Sequence, residues 1–395
     1  MGERRTVDRR RFLAVAAGSV AVGSLAGSAA ARPTPTPDGG GSSDPGKPSA
    51  GGRPLFLGTY TSADGGGAGL GLARYDAGSG LITSAGVLPG VDNPSYLALA
   101  PSGKMLYAVA EQQAGGVSAI AIGDDGALRV LGTRSTGGSG PCHLSVHPGG
   151  RHLLSAGYGS GSVAVHPIGA DGALGERTDL VVHSDPKPGP GQNGPHAHQI
   201  VTAPDGRFVL SVDLGNDTVY TYRLDPAAGT LRQLSSAALR PGAGPRHLTF
   251  HPSGAYAYLA NELDNTVVVC GYDAASGELR PGTPQSTGTG GGTSYPAQLL
   301  VTADGRFGYL ANRGHNSITR YAVREGGARL ELLDTVPVGG DFPRHIAFSP
   351  GGELLFAANQ KSGSVTVFRV NGRSGELARV GSPFSAPVPV CVLPL

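Results

Sequence analysis

The residues most able to do chemistry in this 395-residue chain come in short clusters led by proline or asparagine. Pro195-His196-Ala197-His198 carries two histidines, while Pro245-Arg246-His247 and Pro343-Arg344-His345 each join an arginine to a histidine. Asn261-Glu262, Asn312-Arg313 and Asn359-Gln360 supply a carboxylate, a further guanidinium and an amide. A neutral imidazole takes a proton from water, an effect worth roughly 10²–10⁴-fold in rate. A guanidinium grips a carboxylate or phosphate with two parallel donors, and it stabilises an oxygen on which negative charge develops. A carboxylate such as Glu262 either orients an arginine or acts as an acid, and the sequence leaves both roles open. His196 and His198 would also suit a metal, but no carboxylate stands near them in sequence, and no metal or other cofactor is expected.

Other reactive side chains carry less. His147 and His251 precede Pro148 and Pro252 and are expected in surface turns with structural roles. The three cysteines, Cys142, Cys270 and Cys391, are odd in number and widely spaced. They make neither a disulfide framework nor a zinc pattern, and they are expected as small buried hydrophobes.

The elements that must position these clusters repeat. Pro94, Pro141, Pro195, Pro245, Pro296 and Pro343 open apolar segments at spacings of 47, 54, 50, 51 and 47 residues. Each segment closes in a turn such as Pro101-Ser102-Gly103 or Pro252-Ser253-Gly254, where proline pre-sets φ and glycine takes the positive φ. A β-rich run follows, then an alternating strand such as Ser364–Phe368, then a turn pairing glycine with a nearby leucine. That last turn occurs seven times, from Gly80-Leu81 to Gly375-Glu376-Leu377. Four short strands in about 45–50 residues make one propeller blade. The chain enters at Arg53 without a first strand, and Pro389–Pro394 is a first strand without a blade. The expected fold is therefore an all-β, seven-bladed β-propeller, closed by N- and C-terminal strands sharing one blade.

Aligning the repeats brings equivalent positions to one end of the channel, because the first strand leaves that mouth and the second returns to it. The first-strand position holds Ser95, Cys142, His198, Arg246, Ala297 and Arg344. The next holds Tyr96, His143, Gln199, His247, Gln298 and His345, and the return position holds Tyr60, Glu111, Tyr158, Leu214, Glu262, Arg313 and Gln360. Around them Ala260, Ala311 and Ala358 recur, as do Asn261, Asn312 and Asn359. A uniform scaffold around a variable polar ring marks a site, the alternative being a polar channel lining without catalysis. His198, Arg246, Glu262 and Arg313 are the catalytic candidates. His196, His143, His247, Arg344, His345 and Gln360 are candidate substrate contacts, although the shared position of His143, His247 and His345 favours a common structural hydrogen bond.

The ends and the charge complete the reading. Arg9-Arg10-Arg11-Phe12-Leu13 precedes an alanine-rich apolar stretch and the small residues Ala29-Ala30-Ala31. Residues 1–31 resemble a twin-arginine export signal, residues 32–52 are a flexible linker, and residues 53–395 form the propeller domain. The apolar stretch is short for a span, so no stable membrane anchor is expected after cleavage, and the location is secreted or cell-envelope. Formal net charge is +2, with five arginines against two acids in the first 31 residues, so the body is near neutral. Such a body offers no footprint for nucleic acid, and a monomer is expected.

Gly140-Pro-Cys-His143, Pro195-His-Ala-His198, Gly244-Pro-Arg-His-Leu248, Asn261-Glu-Leu-Asp264, Asn312-Arg-Gly-His315, Pro343-Arg-His345 and Asn359-Gln360, taken together, resemble the seven-bladed propeller lactonase family, the 6-phosphogluconolactonase and carboxymuconate-cyclase group. The resemblance spans residues 53–395. It implies a site of histidine, glutamate and arginines at one channel mouth, falling here on His198 or His196, Arg246, Glu262 and Arg313. It implies an ester hydrolase acting on a small-molecule lactone, sugar-derived or a related acidic one. A lactone-forming cycloisomerase and an exported binding propeller without catalysis are the alternatives; no Trp-Asp blade signature supports the latter, since tryptophan is absent.

Overall fold

Short apolar runs broken by glycine turns have little choice but to pair locally, and they do so in seven antiparallel sheets of four strands each. The computed structural model describes residues 52–184, 189 and 192–395. The expected export signal, residues 1–31, and all of the expected linker but Gly52 lie outside the described residues. Six sheets are built from four consecutive strands. The remaining one joins Arg53–Thr59, Leu70–Tyr75 and Ile82–Leu88 to Pro389–Pro394. Leu55 pairs with Pro394, Phe56 with Leu393 and Leu57 with Val392, so the split blade forms as the sequence predicts.

The first strands of the blades are Leu97–Leu99, Pro141–Val146, Ala197–Thr202, Pro245–Phe250, Tyr295–Val301, Pro343–Phe348 and Pro389–Pro394. Each lies against the first strand of the next blade, and the last lies against the earliest, so they form an unbroken ring around the channel. The core is divided in the same way. Seven hydrophobic clusters each sit between two neighbouring blades, such as Phe208, Leu210 and Val212 facing Leu248, Leu259 and Val268. Each such side chain, fully buried, contributes about 1.5–3 kcal/mol.

The recurring glycine turn is a docking device between blades. Tyr107, Tyr258 and Tyr309 donate their hydroxyls to the carbonyls of Gly172, Gly327 and Gly375 in the following blade, at 2.9, 2.8 and 2.8 Å. At Gly375 φ is +70°, and a Cβ would lie 2.4 Å from the Phe307 ring. Glycine is there for close approach as well as for the turn.

The proline turns lie at the surface, with Pro148, Gly149, Pro252 and Ser253 exposed, but His251 itself is drawn inward, which corrects one expectation. His251 is 8% exposed, not a surface residue. Its Nδ1 accepts from the Ser253 backbone N–H at 3.1 Å, leaving Nε2–H to donate to the Gly305 carbonyl of the next blade at 3.2 Å. His147 reaches the Gly206 carbonyl at 3.2 Å in the same manner. A histidine just before the turn thus becomes an inter-blade staple. The three cysteines are buried and free of disulfides.

Candidate active site

The first-strand position isolated by the repeat is a β-bulge. Pairing slips by one residue between Pro141 and His143, Ala197 and Gln199, Pro245 and His247, and Pro343 and His345. The extra residues are Cys142, His198, Arg246 and Arg344. A bulge leaves its extra residue unpaired and re-aims its side chain. In the fourth blade Ala197 pairs with Asp213 where other blades use the opening proline, so the two-residue insertion ends at His196 and still delivers His198 to the bulge. The return position is anchored opposite. Glu111, Tyr158, Glu262 and Gln360 donate their backbone N–H to the carbonyls of Asn93, Gly140, Gly244 and Phe342, the residues just before the opening prolines, at 3.1, 2.9, 2.7 and 3.0 Å.

Glu262 sits between two arginines. Arg313 Nη2 donates to Glu262 Oε2 at 2.5 Å, and Arg246 Nε lies 3.1 Å from the same oxygen. Burial opposes the Glu262 charge, but Arg313 and then Arg246 outweigh it and hold the carboxylate below its usual range. It is thus an ionised carboxylate held between two guanidiniums. Arg313 is further fixed by donation to the Tyr295 and Pro296 carbonyls, both at 3.2 Å. Arg246 Nη1 donates to the Ala297 carbonyl at 2.6 Å. Its Nε–H is not aimed at Glu262 well enough for a hydrogen bond and remains buried without an acceptor.

His198 stands beside this clamp, 4% exposed, with its ring edge-on to Tyr158 at 5.7 Å and to His247 at 5.2 Å. Burial, reinforced by Arg246, Arg344 and Arg313, keeps it far below the ordinary histidine range, so the imidazole is neutral. Its Nδ1 is buried with no hydrogen-bond partner. The other histidines divide. His143 Nδ1 accepts the Ile200 N–H at 3.4 Å and His345 Nδ1 accepts the Val392 N–H at 3.3 Å, each from the next blade. Gln199 and Gln298 make the same staple to Leu248 and Ile346. This is the shared structural bond the repeat suggests, and it commits one nitrogen of His143 and of His345 to the scaffold. His247 Nδ1 has no such partner and is buried. His196 offers no free nitrogen: Nδ1 lies 2.7 Å from the Tyr158 carbonyl and Nε2 2.9 Å from Asn193 Oδ1, and its ring stacks on Tyr158 at 4.4 Å. It builds a wall of the mouth.

Across the mouth lies a second carboxylate that the repeat placed but sequence reasoning did not select. Glu111 accepts from the Tyr60 hydroxyl at 3.2 and 3.0 Å and from Ser95 Oγ. Arg344 covers the Tyr60 ring with its guanidinium 5.7 Å from the centroid. Among the described residues Arg344 makes no hydrogen bond or ion pair, while Gln360 Oε1 is buried without a donor. Burial works against the Arg344 charge, but Tyr60 and Glu111 more than offset it. The mouth therefore holds an Arg–Glu–Arg clamp with one unspent donor on Arg246, a neutral histidine whose buried Nδ1 has no partner, and one guanidinium without a hydrogen bond among the described residues.

Sequence reasoning missed a buried network behind His196. His183 Nδ1 lies 2.6 Å from Asp213 Oδ2 and its Nε2 2.9 Å from the Tyr222 hydroxyl. Asp213 Oδ1 accepts the backbone N–H of His196 at 2.7 Å and of Gly215 at 2.9 Å. Asp213 stands where Asn261, Asn312 and Asn359 recur, and that departure was the available signal. Two surface clefts, of about 570 and 320 Å³, lie between the first and seventh blades away from this cluster. The smaller is lined mainly by Leu81, Ile82, Val365, Val367, Val380 and Phe384 and carries no titratable group.

The structure is thus a closed seven-bladed ring with blade-specific His, Arg and Glu at one mouth. The chain belongs to the seven-bladed β-propeller lactonases: the family described as "Lactonase, 7-bladed beta-propeller" matches residues 54–394. It is 35% identical over 341 residues to a 6-phosphogluconolactonase of Bacillus subtilis, covering 85% of this chain and 97% of that one. Among solved structures it resembles a Lactobacillus plantarum protein, with 33% identity, a TM-score of 0.81, and 87% and 99% of the two chains covered. It also resembles a periplasmic gluconolactonase of Pseudomonas aeruginosa, with 31% identity, a TM-score of 0.81 and the same coverage.

Proposed function

We propose that this protein hydrolyses a sugar-derived lactone at the mouth formed by His198, Arg246, Glu262 and Arg313. The observation that carries the reading is the pairing of a neutral, buried histidine, its Nδ1 unpartnered, with an arginine clamp around one carboxylate. His198 takes the proton of the attacking water. Arg246, with an unspent Nε–H, stabilises the oxygen that becomes negative as the carbonyl turns tetrahedral. Glu262 and Arg313 hold Arg246 in place, and Arg344 receives a polar or anionic group of the substrate. The family's lactonase members support the reaction class. Purified protein assayed against glucono-1,5-lactone, its 6-phosphate and simple alkyl lactones tests it; no ring opening above the spontaneous rate for any of them would reject it.

The same reading places the work outside the cytoplasm. Its support is the Arg9-Arg10-Arg11-Phe12-Leu13 motif and the periplasmic relative from Pseudomonas aeruginosa. Replacing Arg9 and Arg10 with lysine should leave precursor in the cytoplasm, and unchanged secretion would overturn the route.

A further inference from the structure

One residue beside the mouth is held in a backbone conformation that its side chain disfavours. Phe342 has φ +66°, in the left-handed region. It immediately precedes the opening proline of the seventh blade, and its carbonyl accepts the Gln360 N–H at 3.0 Å. The equivalent position in the third and fifth blades is Gly140, φ +56°, and Gly244, φ +61°, whose carbonyls accept Tyr158 and Glu262 in the same way. The turn therefore calls for glycine, and the seventh blade uses one of the bulkiest side chains instead. For a bulky residue that conformation is a true outlier, and such outliers persist only where their surroundings over-determine them. Here they do: the Phe342 N–H donates to Asn316 Oδ1 at 2.8 Å, and Asn316 Nδ2 donates to Asp341 Oδ1 at 2.8 Å.

What the unfavourable backbone gains is the place of the ring. Phe342 is 9% exposed, and the Arg313 guanidinium carbon lies 5.4 Å from its ring centroid. Lys361 Nζ takes another approach to the ring at 4.2 Å. Arg313 needs such support. It shares the mouth with Arg246 and Arg344, so three guanidiniums stand against Glu262 and Glu111. An aromatic face attracts a cation through its quadrupole without taking up any of its N–H donors.

We propose that Phe342 is a positioning residue: its left-handed backbone sets an aromatic face against Arg313 and so fixes Arg313 on Glu262. The proposal rests on the lactone hydrolysis reading for its kinetic consequence. Val388, φ +37°, is the same position in the split blade and has no guanidinium stacked on it, so it serves as the control for backbone strain alone.

The test compares Phe342→Tyr, Phe342→Leu and Val388→Gly. Phe342→Tyr keeps the face and should retain kcat/KM within twofold of wild type. Phe342→Leu keeps apolar bulk but loses the face, and should lower kcat/KM about tenfold, mainly through kcat, at a melting temperature close to that of Phe342→Tyr. Val388→Gly should leave kcat/KM unchanged. In an Arg313→Lys background, Phe342→Leu should cost little further, because the two residues act as one unit. Equal activity of the Leu and Tyr variants, or losses that simply follow melting temperature, would overturn the proposal. A crystal structure of Phe342→Leu reports independently of turnover: Arg313 should leave Glu262. If the wild type opens no lactone, the functional reading fails, while Arg313 unmoved in that structure sinks the positioning role itself.

Discussion

Arg246 is the residue on which the mouth turns, because it alone touches the clamp and keeps an unspent donor. Arg246→Ala is expected to lower kcat/KM by about 10²–10³-fold, the usual cost of removing one oxyanion donor. His198→Ala should lose roughly 10²–10⁴-fold, concentrated in kcat, as expected for a general base. His251→Ala should leave kcat/KM unchanged yet lower the melting temperature, since it removes a buried inter-blade staple and not a surface group. Steady-state kinetics beside calorimetry separates the three. The imidazoles also set a pH dependence. The unfolded chain titrates them near 6.5, whereas burial, with His345 and Arg246 beside it, pushes His143 down to about 3 in the fold. Burial and Arg246 likewise push His345 down to about 3. Between those values the unfolded chain binds more protons. Stability is therefore complete above about pH 6.5 and falls as pH drops towards 3, by about 1.4 kcal/mol per pH unit for each imidazole. Melting temperature should decline steadily below pH 6. By contrast kcat/KM should stay flat from pH 8 to 6, because His198 remains neutral throughout.

At the level of the blade, the recurring glycine turn and the recurring bulge have opposite legibility. The glycine is visible seven times in the sequence because positive φ is required at every one, with close approach added at positions such as Gly172, Gly277 and Gly375. Gly375→Ala meets both, and should cost about 1–3 kcal/mol as its Cβ enters the Phe307 ring. Gly103→Ala meets only φ +71° with open space around it, and should cost nearer 1 kcal/mol. Denaturant unfolding of the two variants checks the order. The bulge has no residue code of its own. Counting from the turn glycine found Cys142, His198, Arg246 and Arg344 as equivalents, but not that each is the residue a bulge throws out of the ladder. The alignment suggests a shared structural hydrogen bond for His143, His247 and His345, but not that its donor is a backbone N–H of the next blade, nor that His247 lacks it. Phe342 was visible as Phe-Pro where Gly140-Pro and Gly244-Pro stand elsewhere. Its meaning needed the position of Arg313.

For the molecule as a whole, the joined ends decide stability. Val390, Cys391 and Val392 are buried, and their strand supplies the innermost place in the split blade. Deleting residues 387–395 removes that strand and leaves the edge of Arg53–Thr59 unpaired. The truncated chain should lose cooperative unfolding and elute as aggregates in size-exclusion chromatography. A monodisperse truncated protein with the wild-type melting temperature would mean the ring closes without them.

The shared blade also imposes an order in time. Synthesis delivers residues at about 5–20 per second, so the strand at Pro389–Pro394 arrives tens of seconds after its partner at Arg53–Thr59. Until then six blades have all their strands but the circle has a gap, and the apolar stretch Leu55-Phe56-Leu57 waits with one side open. The ring cannot close before that strand has been made. The interval before Pro389–Pro394 emerges is when the nascent chain is most exposed to wrong partners.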